Sequence, residues 1–166
     1  MKCRLIAAGT HLPEWVNSGF EEYQKRLRKP LALELHEIPV ATRRPAANPA
    51  PAVAREGDAM QAALGRGDYV VALEISGTAM STEQLGAWLA LRLQEGRTLA
   101  LLIGGPDGLA ADCVRRADLR WSLSPLTLPH GLVRIVVAEQ LYRAMSWLAG
   151  HPYHRGRAGD RVKGAR

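Results

Sequence analysis

Two stretches of this chain, Tyr69-Val70-Val71-Ala72-Leu73 and Leu99-Ala100-Leu101-Leu102-Ile103, are apolar at every position. A strand of that kind leaves no face for water, so it belongs inside a sheet covered on both sides, as parallel sheets are. With their flanks these runs span Tyr69–Glu74 and Thr98–Ile103, and three more stand beside them at Arg4–Ala8, Leu33–Ile38 and Leu119–Leu123. Leu33 to Ile38 alternates between apolar and polar, which fits a strand with one wetter face.

Between the runs the apolar period lengthens to that of helices. Pro13 suits the first turn of one, and Trp15, Val16, Phe20, Tyr23 and Leu27 recur at helical spacing behind it. Ser81-Thr82-Glu83-Gln84 has the form of a helix start, followed by the stripe Leu85, Trp88, Leu89 and Leu93. Asp112 to Ala117 is a shorter helix. Strands alternating with helices predict an α/β fold with a mostly parallel sheet flanked by helices.

The chain has 166 residues, one domain's worth, with 47% hydrophobic and 23% charged residues, which excludes wholesale disorder. Cys3 and Cys113 are far apart in sequence and form neither a disulfide framework nor a zinc-site spacing. No stretch approaches the ~20 apolar residues of a membrane span, and no signal region precedes the first strand, so a soluble cytoplasmic protein is expected. The net charge is +6, and the 22 basic residues are mostly arginine. That balance points mildly to a polyanionic partner, and base composition explains it equally well.

Three segments interrupt the regular pattern. Ala41–Ala52 carries Arg43, Arg44 and three prolines without a large apolar side chain, and reads as an exposed, mobile loop ahead of a helix that includes Arg55 to Leu64. The last helix, about Pro129 to Ala149, is apolar around nearly its whole circumference through Leu132, Val133, Ile135, Val136, Val137, Ala138, Leu141, Tyr142, Met145, Trp147 and Leu148. Such a helix needs cover on every side. A homodimer packed on it supplies that cover; central burial within one subunit is the alternative. Gly156–Arg166 is rich in Gly and Arg and reads as a flexible basic tail, leaving residues 1–155 as the domain. This tail holds half of the net charge, so the domain alone is a weak general binder of RNA.

Chemistry concentrates in three places. Leu102-Ile103-Gly104-Gly105-Pro106-Asp107-Gly108-Leu109 leaves a strand and enters a helix, where glycines let a backbone approach a ligand. Its spacing matches neither GxGxxG nor a Walker A loop, and a tight turn explains it as well as a ligand loop does. Leu123-Ser124-Pro125-Leu126-Thr127-Leu128-Pro129-His130 also leaves a strand, and its few fixed polar groups among apolar ones suit a nucleoside or serve as a plain connection. His151-Pro152-Tyr153-His154-Arg155 bundles aromatic, imidazole and guanidinium groups. No carboxylate or thiol nearby completes a metal set, so no metal site is expected. Base stacking by Tyr153 and contact of Arg155 with phosphate or a charged cofactor are the natural roles, with a frayed terminus as the plain alternative. Asp107, Glu74 and His130 are further polar candidates near strand ends, whereas Lys25, Arg26, Arg28 and Lys29 fit a solvated helix face and Glu139 with Arg143 a local ion pair.

Taken in order, LLIGGPDGL ending at Leu109, LSPLTLPH from Leu123 to His130, LVRIVVAEQLY from Leu132 to Tyr142 and HPYHR from His151 to Arg155, with Ala7-Ala8-Gly9-Thr10 at the start, closely resemble the bacterial large-subunit ribosomal RNA pseudouridine N3-methyltransferase H family. That family lies within the SPOUT, or α/β-knot, methyltransferases, and the resemblance covers about residues 1–155. It implies a C-terminal trefoil knot, a homodimer and S-adenosylmethionine as methyl donor. It also implies methylation of N3 of a pseudouridine in 23S rRNA on the assembled ribosome. Cofactor contacts are then expected at Leu73, at Gly104 and across Leu123, Ser124, Pro125, Leu126, Thr127 and Leu128. The expected catalytic and substrate-contacting residues are His130, Tyr153, His154 and Arg155. Two departures stand out: members of that family end close to the HPYHR-like motif, whereas eleven residues follow it here, and the loop around Arg43 is richer in Pro and Ala. The competing readings are a non-catalytic ribosome- or RNA-binding α/β protein and a knotted tRNA methyltransferase.

Overall fold

The computed structural model describes residues 1–43, 48–151 and 153. Its elements run β1 (Lys2–Ala8), α1 (Glu14–Gln24), β2 (Ala32–Ile38), α2 (Ala50–Ala63), β3 (Tyr69–Ala79), α3 (Thr82–Glu95), β4 (Leu99–Ile103), α4 (Ala111–Arg116), β5 (Leu119–Ser122) and α5 (His130–Leu148). The five strands form one sheet in the order β2-β1-β4-β3-β5, and all four pairings are parallel. The expected α/β class holds, and the two uniformly apolar runs fall on β3 and β4, inside the sheet.

Alternation along the strands sorts the core into two layers. Cys3, Leu5, Ala7, Leu99, Leu101 and Ile103 face α1, α3 and α5, while Ile6, Ala8, Ala100 and Leu102 face Met60 of α2 and Cys113 of α4. Burying each Leu or Ile contributes roughly 1.5–3 kcal/mol. β2 is an edge strand, and its exposed Glu34 and His36 lie on one face, the wetter side its alternation predicts, with Glu37 exposed near the end of the other.

The helix signals are largely realised. Ser81 caps α3, with its Oγ accepting from the Gln84 N–H at 3.2 Å and Gln84 Oε1 accepting from the Ser81 N–H at 2.8 Å. Pro13 stands at the cap of α1, one position before the helix rather than within its first turn. Trp15 departs from its expected place on the apolar stripe: it is 59% exposed, and Val16 and Phe20 carry the buried face. α2 begins at Ala50, earlier than the composition indicates, with Pro51 accommodated in its first turn where no N–H is needed.

α5 leaves the β5 edge and returns to pack against α1, α3, β1 and β4. Val137, Ala138, Leu141 and Ala144 form its buried stripe, with Leu132, Val133, Ile135, Val136, Tyr142, Met145 and Trp147 partly covered and Leu148 exposed. Trp147 lies so close over Gly86 of α3 that a Cβ there would fall 2.4 Å from Trp147 Cε3. No helix among the described residues is long and apolar enough to cross a membrane.

Candidate active site

The carboxyl ends of β3, β4 and β5 open onto a cavity of about 550 Å³. In an open parallel sheet this edge is where connecting loops diverge and leave room for a ligand. Three departing segments build the walls. Beyond Leu73, β3 loses register with β5: Leu73 and Thr78 both stand opposite Trp121, and Glu74–Gly77 bulge between them. The bulge turns Glu74 and Ile75 toward the cavity. Gly104 to Leu109 follow β4 and form the second wall, and Leu123 to His130 follow β5 and form the third. Ile103, Trp121 and Val133 add apolar surface.

The β4 loop is folded tightly on itself. Gly105 and Gly108 form a short antiparallel bridge, the Gly108 N–H donating to Gly105 O at 3.0 Å. A Cβ on Gly104 would lie 2.3 Å from Gly108 C and 2.5 Å from Gly108 O, so only glycine permits this closure. The β5 loop is fixed by serine hydroxyls. Ser122 Oγ donates to Ser124 O at 3.2 Å, and Ser124 Oγ accepts from the Leu126 N–H at 3.0 Å. Leu126 is left 70% exposed at the rim.

Every residue expected to touch the cofactor lines this cavity except Pro125, whose neighbours on both sides do. His130 lines it too, at the first position of α5. Burial, then the nearby Arg134 guanidinium, lowers its pKa below the ordinary histidine value of 6.5. The imidazole is therefore neutral at physiological pH, with a lone pair free to take a proton. Burial raises the Glu74 carboxyl, partly countered by Arg120.

The sequence reading passed over Arg134, a cation near the start of a largely apolar helix. It is 1% exposed; its Nη1 donates to Glu37 Oε1 at 2.7 Å, and its Nη2 donates to Gly9 O at 2.6 Å and Ala8 O at 3.2 Å. It ties the end of β1 to α5, and a Cβ at Gly9 would meet both Arg134 Nη2, at 3.1 Å, and the His130 ring, at 3.5 Å. Its spacing from His130 (one helical turn) was the signal available.

Tyr153 stands elsewhere. Its ring meets Tyr142 edge-on at 4.6 Å and lies beneath the Arg143 guanidinium at 5.1 Å, and its hydroxyl donates to Glu139 Oε1 at 3.4 Å. Burial, the Tyr23 hydroxyl and the Glu139 charge push its pKa up to about 12. His154, Arg155 and the 156–166 tail lie outside the described residues, as does Arg44. Glu139 and Arg143 make the expected local pair, with Nε to Oε1 at 2.9 Å. Lys25 and Arg26 pair along α1 with Glu21 and Glu22. Among the described residues no group of three or more His, Cys, Asp or Glu is placed to hold a metal ion.

A family model described as "Predicted SPOUT methyltransferase" matches residues 1–154. The chain belongs to the SPOUT methyltransferase family. The sequence resemblance is thereby supported over nearly the whole chain, and the cavity at the strand ends lies in a methyltransferase. Its relatives include proteins named "Ribosomal RNA large subunit methyltransferase H" from Pseudomonas fluorescens, 52% identical over 155 residues, from Azotobacter vinelandii, 51% identical, and from Hahella chejuensis, 50% identical. Each alignment covers 93% of this chain and at least 99% of the relative.

Proposed function

We propose that this SPOUT methyltransferase transfers the methyl group of S-adenosylmethionine to N3 of a pseudouridine in 23S rRNA, on the assembled large subunit or ribosome, as a cytoplasmic homodimer. The observation that carries the reading is the near-complete alignment, at about half identity, with relatives bearing the ribosomal RNA methyltransferase name. The cavity fits the cofactor on its own terms. Its size is in the range of small-ligand sites of roughly 300–1,000 Å³. Apolar walls at Leu73, Ile103 and Leu128 suit adenine, and backbone groups of the two loops suit its polar edge.

When bound, S-adenosylmethionine supplies an already strong electrophile, so the protein's task is orientation and control of one proton. The β4 and β5 loops would hold the ligand at the strand ends. The N3 imide proton has to depart before or during attack. We assign that proton to His130, a reading supported by its lowered pKa and its position on the cavity wall. Tyr153, with its raised pKa, stays protonated and acts as a hydrogen-bond or stacking group instead of a base.

Tyr153 packs on α5 near Tyr142, roughly 18 Å along the helix axis from His130. This separation supports a site completed across a dimer, in which the HPYHR segment of one subunit serves the cavity of the other. The incompletely covered apolar stripe of α5 supports a second copy packed there. Its return from the β5 edge to β1 and β4 supports the C-terminal knot. Two measurements test the function together. Calorimetry should give one S-adenosylmethionine bound per subunit, and labelled methyl should enter unmethylated large ribosomal subunits. No binding, or transfer only to tRNA, would overturn the proposal; a monomer by light scattering at micromolar concentration would overturn the dimer.

A further inference from the structure

Arg43 sits outside the cavity, yet it joins one of the cavity's walls to the body of the fold. The loop after β2 was expected to hold it in solvent, but its side chain is only 22% exposed. Its Nε donates to Asp107 Oδ2 at 2.6 Å. Its Nη1 and Nη2 donate to Glu56 Oε1 at 2.8 Å and Oε2 at 3.2 Å. Nη1 also reaches Ala41 O at 2.9 Å. Asp107 lies on the Gly104–Leu109 loop and lines the cavity. Glu56 belongs to α2, is 3% exposed, and accepts the Ala41 N–H at 2.8 Å as well. A Cβ at Gly105 would come 3.0 Å from Glu56 Oε2, so the same buried carboxylate lies directly against the loop backbone.

A guanidinium is the one side chain that can span two carboxylates in this way. Its fork grips Glu56 through both terminal nitrogens while Nε remains for Asp107. A lysine ammonium in its place has the charge without the geometry. Low exposure at Glu56 makes these charge-assisted bonds strong, and it makes an unpaired Glu56 costly.

We infer that Arg43 is a positioning residue for the methyl-donor site: by bridging buried Glu56 to Asp107 it holds the Gly104–Leu109 loop in its ligand-ready form. The inference rests on the reading of this cavity as the S-adenosylmethionine site. It carries a functional consequence. Cofactor affinity depends on a residue of the β2–α2 connection, whose described residues do not line the cavity.

The test compares the full-length protein with Arg43→Lys and, as a control, Arg55→Lys on the exposed face of α2. Hydrogen exchange of the ligand-free protein should be roughly tenfold faster in peptides covering 104–109 for Arg43→Lys, and S-adenosylmethionine should bind roughly tenfold more weakly by calorimetry, with Arg55→Lys unchanged in both. In an Asp107→Ala background, Arg43→Lys should add little to either effect, because the bridge is already broken. Wild-type exchange and affinity in Arg43→Lys would overturn the inference. So would an undiminished effect in the Asp107→Ala background, which would place the role in α2 stability alone. If the wild-type protein bound no S-adenosylmethionine, the cofactor reading would fall, while the exchange arm would still accept or reject the bridge.

Discussion

Replacing Gly104 with alanine asks whether the closure of the β4 loop is what makes the cavity a binding site. The added Cβ would stand 2.3 Å from Gly108 C, 2.5 Å from Gly108 O and 2.6 Å from Leu109 N. All three neighbours are backbone, so no side chain can rotate away. Relief to an ordinary carbon contact needs a shift of about 1 Å or more, enough to part the Gly105–Gly108 bridge and its 3.0 Å hydrogen bond. Overpacking of this kind costs about 1–3 kcal/mol. If the opened loop no longer grips the ligand, S-adenosylmethionine affinity falls by about 5- to 150-fold. Calorimetric titration measures that loss, and a thermal melt of the same sample establishes that the variant is folded. Gly67→Ala is the control: a Cβ there meets nothing within 4 Å, so affinity should be unchanged. An affinity for Gly104→Ala within twofold of wild type, with an unchanged Tm, would refute the argument that this backbone approach defines the site.

Three further outcomes follow from particular contacts. Gly86→Ala drives a Cβ into Trp147 and should lower stability by about 2 kcal/mol, or Tm by about 4–8 °C, without altering S-adenosylmethionine affinity of the folded protein; differential scanning calorimetry decides it. His130 has a lowered folded pKa, so the stability it contributes is present above the ordinary value of 6.5 and is lost as pH falls through the folded value; His130→Asn should flatten that acid limb in pH-dependent melts. By the same sign, methyl transfer should stay pH-independent for His130 down to below that ordinary value. Cys3 and Cys113 are both 0% exposed, and burial pushes the Cys3 thiol up to about 12. Neither should react with a thiol reagent at about pH 8 in the native state, and both should react after unfolding.

Periodicity read the fold well because burial of the strands is nearly absolute. Val70, Val71, Leu101 and Leu102 have no exposure, and nothing polar could replace them. β3 runs on to Ala79 through Ile75-Ser76-Gly77-Thr78, past the expected end at Glu74, since a bulge breaks the pattern that periodicity detects. Trp15 misled because an aromatic residue in register with an apolar stripe need not be covered; the stripe rotates with the helix, and Val16 takes the buried position. The two loops of the site were legible as motifs, and their convergence follows from parallel strands ending at one edge. Arg43 and Arg134 were not legible as site residues. Each is held by carboxylates or carbonyls distant in sequence, Asp107 and Glu56 for the first and Glu37 and Gly9 for the second. Charge composition says nothing about such partners, and the exposed loop expected around Arg43 gave no hint of them.

The most direct test of the central claim is mass mapping of the ribosomal RNA from a strain lacking this gene, beside its parent. The account predicts that a single methyl group disappears from a pseudouridine of 23S rRNA and returns when the wild-type chain is restored, though not when a His130→Ala chain is expressed at the same level. Unchanged 23S rRNA in the deletion strain, or a methyl lost from tRNA instead, would contradict it.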